Sequence, residues 1–593
     1  MKTHGELKLV GRKWKIDLAK APHVAVRLRR LFERIDKAEQ GILTLTATPE
    51  TTRELVWFMQ RYPLVVDEGT KVKIDALVLD HKRREVVVDK IITGAYVPPL
   101  VKAAIPLRPY QEVAVGMVLA TGQLLLVDDV GLGKTACGIG VALDPRARPA
   151  IIVTKTDLPL QWAKEFGRFA PDLKVHIIKQ GQPYDLTKGP YDRRLRDYTR
   201  VPFPDIVILN YHKLDGWAHT MSQWARSIIF DEVQDLRIPT SAKYRSARSI
   251  CEAVDFRLGL SATPIYNFGG EMFHVINMIA PDSLGTVAEF AREWCGGEES
   301  LNSKPKISDP DAFGVYLRDQ GLVLRRRRED VGIDLPPLEK SVQFCESTTD
   351  ALEAVGDRAA ELARVILAQT GYSPQQKMKA SAELSWRLRQ ATGIGKAPFV
   401  AAFVRMIVES GERVMLYGWH KSVYAIWAEL FKDLEWTKPG DAEPSKVQPC
   451  WFTGDETGPE KEKSKQDFIS GESPLIIMSL RAGAGIDGLQ KVCRVVVFGE
   501  LDWSPGVHEQ CIGRLYRPGQ KEPIIAYFLV SEEGSDPVVL DTIGLKKAQS
   551  DAVRDPGADL IEGLDVESGH IKRLAEAYLL QRGMPPQRTR EHA

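Results

Sequence analysis

Leu124-Leu125-Leu126-Val127-Asp128-Asp129-Val130-Gly131-Leu132-Gly133-Lys134-Thr135 is the stretch on which the fold turns. The apolar run Leu124 to Val127 reads as a buried strand, and a glycine-rich turn then opens a helical run at Lys134. Strand, glycine loop and helix in that order make a phosphate cradle. Gly131 and Gly133 let backbone N–H groups turn inward, and the helix N-terminus behind them favours an anion. Lys134 is then placed for the β- and γ-phosphates of a nucleotide, and Thr135 for a magnesium ion. The generic GxxxxGK(S/T) pattern has glycine where this chain has Asp128.

Further along, Ile228-Ile229-Phe230-Asp231-Glu232-Val233-Gln234 is an apolar strand ending in adjacent carboxylates. Asp231 can hold a metal through water, and Glu232 can orient and deprotonate an attacking water. An Asp-Glu pair opening a surface helix is common. A pair directly behind a buried strand and downstream of a phosphate loop is not.

The runs around these two motifs set the architecture. Leu124 to Val127, Ala150 to Val153, Ile206 to Leu209 and Ile228 to Phe230 alternate with helical segments. Near-continuous apolar runs of this kind suit a parallel sheet covered on both faces. A helical stretch is expected from Gly269 to Arg328. A second alternating block follows, with strands at Val414 to Tyr417, Leu475 to Met478 and Val495 to Phe498. The expectation is an α/β protein with two tandem lobes and a small N-terminal α/β accessory domain. The domains are read as 1–104, 105–340 (first lobe with a helical protrusion), 341–548 (second lobe) and a tail at 549–593.

Composition sets the outer bounds. The chain has 593 residues, 44% hydrophobic and 27% charged, which excludes a disordered chain, a fibre and a disulfide miniprotein. At ~100–200 residues per domain, about three to five domains are expected. The sequence suggests no apolar stretch of the ~18 residues a membrane span needs, and the N-terminus lacks the apolar core of a secretory signal. A soluble, cytoplasmic protein with no membrane partner is expected, in a bacterial or phage-infected cell, and a monomer. The seven cysteines include no CxxC pair, so they read as buried thiols. His212, His420 and His508 read as polar or core residues, and no metal is expected beyond magnesium bound with the nucleotide.

Net charge is +1, but residues 1–100 hold 19 Lys and Arg against 13 Asp and Glu, a balance of +6. Within them Lys8 to Leu18 reads as strand, Val24 to Glu39 as helix, Ile42 to Thr46 as strand and Glu50 to Gln60 as helix. Two strands are expected to meet near Asp80-His81-Lys82, with a linker at Tyr96 to Pro99. The basic balance with Trp14, Trp57, Phe58 and Tyr62 leaves two readings open, a DNA-recognition domain and a cap that stabilises the fold.

The motifs together resemble superfamily-two helicases, and within them the Swi/Snf-like DNA-dependent ATPases, over residues 105–548. Leu107-Arg108-Pro109-Tyr110-Gln111 is similar to the adenine-side motif, with Arg108 beside Gln111 as the base reader. The family's phosphate loop, also without the first glycine, corresponds to Asp129, Gly131, Leu132, Gly133, Lys134 and Thr135. Asp231-Glu232-Val233-Gln234 resembles the DEAH-type box with Gln for the usual His. Leu258 to Pro264, with Ser261 and Thr263, resembles the motif that couples hydrolysis to lobe movement. Ser479 to Gln490, holding Arg481, Gly485 and Asp487, resembles the fifth motif, whose Ser479 and Arg481 would contact phosphates. Glu500 to Pro505, with Trp503, resembles the following step, with Ser504 where Asn is usual.

Gln510-Cys511-Ile512-Gly513-Arg514-Leu515-Tyr516-Arg517-Pro518-Gly519-Gln520 is similar to the sixth motif, QxxGRxxRxGQ. Its arginines, spaced i, i+3, are expected on one side of a helix, with Arg517 as the arginine finger and Arg514 as the second choice. Arg325 to Arg328, with Asp330-Val331 and Leu335-Pro336-Pro337, resembles the segment joining the lobes and is expected to brace structure or contact phosphate. Leu388 to Lys396 is similar to a stretch of the HARP-like annealing helicases. The resemblance implies two RecA-like lobes, ATP and magnesium as cofactors, and duplex, forked or branched DNA as partner. Translocation or remodelling in replication, recombination or repair would follow. An RNA-directed or strand-separating helicase and a nucleotide-gated binding switch are the alternatives.

Overall fold

The computed structural model describes residues 2–32, 35–36, 38–156, 158–192, 197–262, 271–296, 307–332, 335–368, 371–438, 440–481, 487–543 and 570–581. The first domain opens with strands β1 (Glu6–Val10) and β2 (Lys13–Asp17), paired antiparallel. Gly11, at φ 61°, turns the chain between them, so the single strand expected at Lys8 to Leu18 is a hairpin. Helix α1 (Pro22–Leu31), strand β3 (Ile42–Thr46), helix α2 (Pro49–Arg61) and the short β4 (Val65–Val66) complete a sheet of order β3-β2-β1-β4. Helix α1 stops eight residues before the expected end at Glu39. Trp14 and Phe58 belong to the domain's core, and the Trp14 Nε1 donates to Thr52 Oγ1 at 2.8 Å. Trp57 is 65% exposed.

The strands expected near Asp80 are instead one helix, α3 (Glu68–Ile92). Asp67 caps it by accepting from the Thr70 N–H at 2.8 Å, and Arg84 pairs with Asp80 one turn back at 2.7 Å. These local bonds, with burial of Ile74 and Val88, override the β-branched character of the segment. Ile74 packs in the first domain's core and Val88 in that of the next unit, so α3 ties the two together.

The first lobe runs α4 (Pro109–Thr121), β5 (Gln123–Leu126), α5 (Lys134–Leu143), β6 (Ala150–Thr154), α6 (Pro159–Phe169) and β7 (Val175–Ile177). A side hairpin of β8 (Lys188–Asp192) and β9 (Asp197–Arg200) precedes β10 (Ile206–Asn210), α7 (Leu214–Met221), β11 (Ser227–Asp231), α8 (Ala242–Cys251) and β12 (Phe256–Leu260). With β13 (Val323–Leu324) at one edge, the sheet order is β13-β5-β12-β11-β6-β10-β7, all parallel. Successive residues of β5 and β11 enter opposite cores: Leu125 and Phe230 one, Leu124, Leu126 and Ile229 the other. This is the two-sided burial that the apolar runs require. The stretch expected to be helical to Arg328 holds α9 (Glu271–Ile279), α10 (Val287–Trp294) and α11 (Pro310–Asp319), then ends in strand β13 (Val323–Leu324). The arginine run therefore leaves a sheet edge beside β5 rather than a helix.

The second lobe begins with β14 (Leu338–Cys345), three residues ahead of the boundary read from the sequence. It continues through α12 (Asp350–Ala354), α13 (Gly356–Leu367), α14 (Pro374–Glu409), β15 (Val414–Gly418) and α15 (Lys421–Leu430). A small ribbon of β16 (Leu434–Trp436) and β17 (Ser445–Val447) follows, then β18 (Cys450–Phe452), α16 (Gly458–Ser470), β19 (Leu475–Ser479), β20 (Val495–Phe498), α17 (Pro505–Ile512) and β21 (Ile524–Ser531). The parallel order is β14-β21-β20-β15-β19-β18, again with a core on each face. Helix His570–Gln581, expected at Ile571 to Gln581 in the tail, buries Leu574, Ala575 and Leu579 in this lobe.

Helix α14 is long and apolar enough to cross a membrane by length and composition, contrary to the expectation from sequence. Its Leu384, Leu388, Val400 and Val404 are spent inside the lobe, and its fully buried Lys396 is neutralised by Asp536. All seven cysteines are buried free thiols.

Candidate nucleotide site between the lobes

The phosphate loop leaves β5, a central strand, and delivers Lys134 to the first turn of α5. Gly131 and Gly133 take φ 89° and 77°, the left-handed region in which a side chain is strained. A methyl group on Gly133 would lie 2.5 Å from the Gln111 amide nitrogen, so the loop and α4 touch only because glycine stands there. Gln111 is already committed in this state. Its Oε1 accepts from the Arg108 N–H at 2.9 Å and its Nε2 donates to the Leu132 carbonyl at 2.9 Å. Tyr110 donates to the same carbonyl at 3.0 Å, and the Arg108 guanidinium lies 3.3 Å from the Tyr110 hydroxyl.

Asp128, where glycine was expected, is fully buried and bound to the arginine run. The Arg326 backbone N–H and Nε reach one Asp128 oxygen at 3.1 and 3.0 Å. Arg325 donates to Asp129 at 2.8 Å, and the Arg328 guanidinium donates to the Val130 carbonyl at 2.9 Å. Burial would raise the Asp129 pKa, but Arg325 and Arg328 hold it below the ordinary carboxylate value. The run thus braces the loop from behind. Asp128 and Arg326 form a buried, bidentate carboxylate–guanidinium pair at the start of the loop.

Lys134 Nζ donates to the Asp128 and Asp129 carbonyls at 2.6 and 3.0 Å. Burial lowers its pKa against the pull of Asp128 and Glu232. Thr135 follows, partly buried, on the first turn of α5. At the end of β11 the Asp231 carboxylate accepts from Trp162 Nε1 at 2.8 Å and Thr154 Oγ1 at 3.0 Å. Burial first, and Glu232 second, push its pKa up to about 6. Glu232 sits at φ 58°, a strained conformation for a residue with a side chain. The Tyr211 hydroxyl holds this turn through the Asp231 and Glu232 carbonyls at 2.9 and 3.3 Å. Gln234 donates to the Glu232 carboxylate.

The second lobe closes on this surface. Gln510, on α17, donates to Glu232 Oε2 at 3.2 Å. Helix α17 ends at Ile512, so Arg514 and Arg517 stand in the turns beyond it and not on a helix face as expected. Gly513 ends the helix against the loop: a methyl group there would lie 2.7 Å from Val130 Cγ1. One on Gly131 would lie 3.1 Å from Arg517 Cβ. Arg517 Nε donates to the Gly513 carbonyl at 2.9 Å, and its NH1 lies 3.6 Å from Asp487. Burial, with Arg514 adding to it, lowers the Arg517 pKa to about 10. Arg328 completes the junction, its guanidinium 4.3 Å from the centre of the Tyr516 ring.

The remaining predicted residues divide. Ser261 is buried at the end of β12, its N–H on the Leu126 carbonyl at 3.1 Å. Ser479 ends β19. Arg481 is half-exposed, pairs with Asp502 at 3.0 Å and lies over Trp419. Trp503, expected to contact nucleic acid or couple the lobes, is buried and donates to Ser385 Oγ on α14 at 3.1 Å. Its apolar ring fills the lobe's core. Thr263 and Gly485 lie outside the described residues. His508 is buried and held near pKa 4 by desolvation, and buried His420 bonds Glu500 at 2.6 Å. Tyr211, Trp162 and Tyr516 had no sequence signal, because their roles depend on partners distant in the chain.

The family described as SNF2-related domain matches residues 52–392, more than half of the chain. The SWI/SNF-related matrix-associated actin-dependent regulator of chromatin subfamily A-like protein 1 of Bos taurus is 24% identical over 438 residues, 72% of this chain and 43% of that protein. The DNA annealing helicase and endonuclease ZRANB3 of Mus musculus is 22% identical over 458 residues, 75% of this chain and 40% of that one. The chain thus spans about two-fifths of the length of these relatives. The solved Sulfolobus solfataricus SWI2/SNF2 ATPase core in complex with dsDNA aligns with TM-score 0.36 and 18% identity, covering 79% of this chain and 100% of that one. With two parallel-sheet lobes meeting at the phosphate loop, the chain belongs to the SNF2-related family.

Proposed function

We propose that this chain is a DNA-stimulated ATP hydrolase whose turnover drives movement along, or remodelling of, duplex or forked DNA. The observation that carries the reading is the pair of desolvated cations supplied by opposite lobes. Lys134 and Arg517 both have pKa values depressed by burial. Lys134 Nζ donates to the Asp128 and Asp129 carbonyls, and Arg517 Nε donates to the Gly513 carbonyl with Asp487 beside it. Two cations brought together from opposite lobes beside the phosphate loop suit a polyphosphate lying between them.

The residues suit ATP and magnesium. The glycines of the loop leave its amides open to phosphate oxygens, and Thr135 and Asp231 would hold the metal, whose charge neutralises the transferred phosphoryl group. A carboxylate raised to about 6 beside a second one is short of a cation. Glu232 positions water and takes its proton, with Gln510 and Gln234 fixing its orientation. Arg517 and Arg514 stabilise charge in the transition state once the lobes are closed. DNA that favours the closed state would speed hydrolysis. The relatives named for annealing-helicase activity favour DNA over RNA, and intact catalytic groups favour an enzyme over a binding switch.

Steady-state ATP hydrolysis, alone and with single-stranded, duplex and forked DNA and duplex RNA, tests this, with Glu232→Gln as blank. Stimulation by duplex or forked DNA is expected. Tight ATP binding with no turnover on any nucleic acid would replace the motor with a switch.

A further inference from the structure

The proposed hydrolysis site leaves one concave surface of the first domain unused. Helices α1 and α2 line a cleft of about 740 Å3 whose walls include Arg27, Arg30, Trp57, Phe58, Arg61 and Tyr62. Clefts of about 300–1,000 Å3 are the size that holds small organic groups. Helical spacing builds it: Arg27 and Arg30 stand i, i+3 on α1, and Trp57 and Arg61 stand i, i+4 on α2. Phe58 is buried and Tyr62 half-buried, their rings 5.0 Å apart, while Trp57 projects into water. Arg61 lies 5.9 Å from the Tyr62 ring.

Among the described residues, Arg27, Arg30 and Arg61 have no carboxylate partner. Their neighbour Arg29 is used differently, donating to the Glu39 carbonyl. A ligand for this cleft must offer a flat apolar face to the indole and negative charge to the guanidiniums around it. An unpaired nucleotide offers both. In a duplex each base face is covered by its neighbours in the stack, so a duplex brings phosphates alone and leaves Trp57 in water.

We propose that this cleft binds single-stranded DNA, stacking an unpaired base on Trp57 and holding the adjoining phosphates with Arg27, Arg30 and Arg61. The choice of DNA rests on the proposed function; the choice of an unpaired strand rests on the cleft. Because α3 joins this domain to the first lobe, a captured strand would lie on the same body as the motor.

The test is equilibrium binding of a labelled oligo-dT and of a blunt duplex to the full chain across a salt series, without nucleotide. Trp57→Ala should weaken oligo-dT binding roughly 5- to 150-fold and leave blunt duplex unchanged. Trp57→Phe, which keeps a stacking face, should restore most of the loss. Changing Arg27, Arg30 and Arg61 together to Gln should lower the salt slope for oligo-dT by about 2, the value for three phosphates on a single strand. Wild-type oligo-dT affinity in Trp57→Ala would overturn the proposal, as would equal losses on oligo-dT and duplex. ATP hydrolysis by the same wild-type sample, alone and with oligo-dT, duplex and forked DNA, separates the two readings. Trp57-dependent binding that persists in a chain showing no DNA-stimulated hydrolysis would remove the motor and keep the cleft.

Discussion

Each lobe brings cationic and polar groups to the shared site, but they are held in different ways. In the first lobe most groups are fixed by their own lobe: Asp231 by Thr154 and Trp162, the Glu232 turn by Tyr211, and the phosphate loop by Arg325, Arg326 and Arg328. In the second lobe Gln510 finds its partner across the cleft, and Arg517 rests on the Gly513 carbonyl near the exposed Asp487. The first half is prebuilt, and the second acquires its function on closure. Nucleotide binding should therefore depend on the first lobe, and the chemical step on both.

Substitutions should separate the halves. Glu232→Gln removes the base and should lower turnover by roughly 10²- to 10⁴-fold while nucleotide affinity, measured by equilibrium binding, is retained. Loss of affinity instead would mean that Glu232 belongs to the binding half. Asp128→Ala leaves the Arg326 guanidinium buried without its carboxylate, and should cost about 3–5 kcal/mol in denaturant unfolding of the first lobe. Adding Arg326→Met should recover much of that loss, and a stable single variant would show that the brace is dispensable.

Asp231→Asn should act in the opposite sense. A carboxyl raised to about 6 in the folded chain binds its proton more tightly than when unfolded, so its contribution to stability falls as pH rises from about 4 through 6. The Asn variant should be more stable than wild type by roughly 1–3 kcal/mol at pH 7.5, and the difference should vanish by pH 4. A pH-independent difference would deny the raised pKa. The smallest effect expected is that of Tyr516→Ala, which removes the ring under Arg328. Single-turnover hydrolysis should slow about two- to fivefold, the worth of a partly exposed cation–π contact, with ATP affinity kept. An unchanged rate would detach Arg328 from closure.

Contiguous motifs were legible in the sequence, and partnerships across it were not. The strand–loop–helix at Leu124 to Thr135 and the carboxylates after Ile228 are local patterns, and both parallel sheets follow from runs of buried residues. The valines and isoleucines of helix α3 favour strands locally, while its cap at Asp67 and the packing of Ile74 and Val88 decide for the helix. The most conspicuous basic run, Arg325 to Arg328, spends three of its charges on the phosphate loop. The scattered Arg27, Arg30 and Arg61 instead line an open cleft. Charge in sequence becomes charge on the surface only where no internal partner claims it. Trp503 makes the same point for aromatics, since only its surroundings tell core from contact.

That the two lobes form one hydrolytic site is tested most directly by Arg517→Ala, with ATP affinity and single-turnover hydrolysis measured on the same sample. Affinity within a few-fold of wild type and hydrolysis slower by roughly 10³-fold or more are expected. Near-normal hydrolysis in that variant would contradict it.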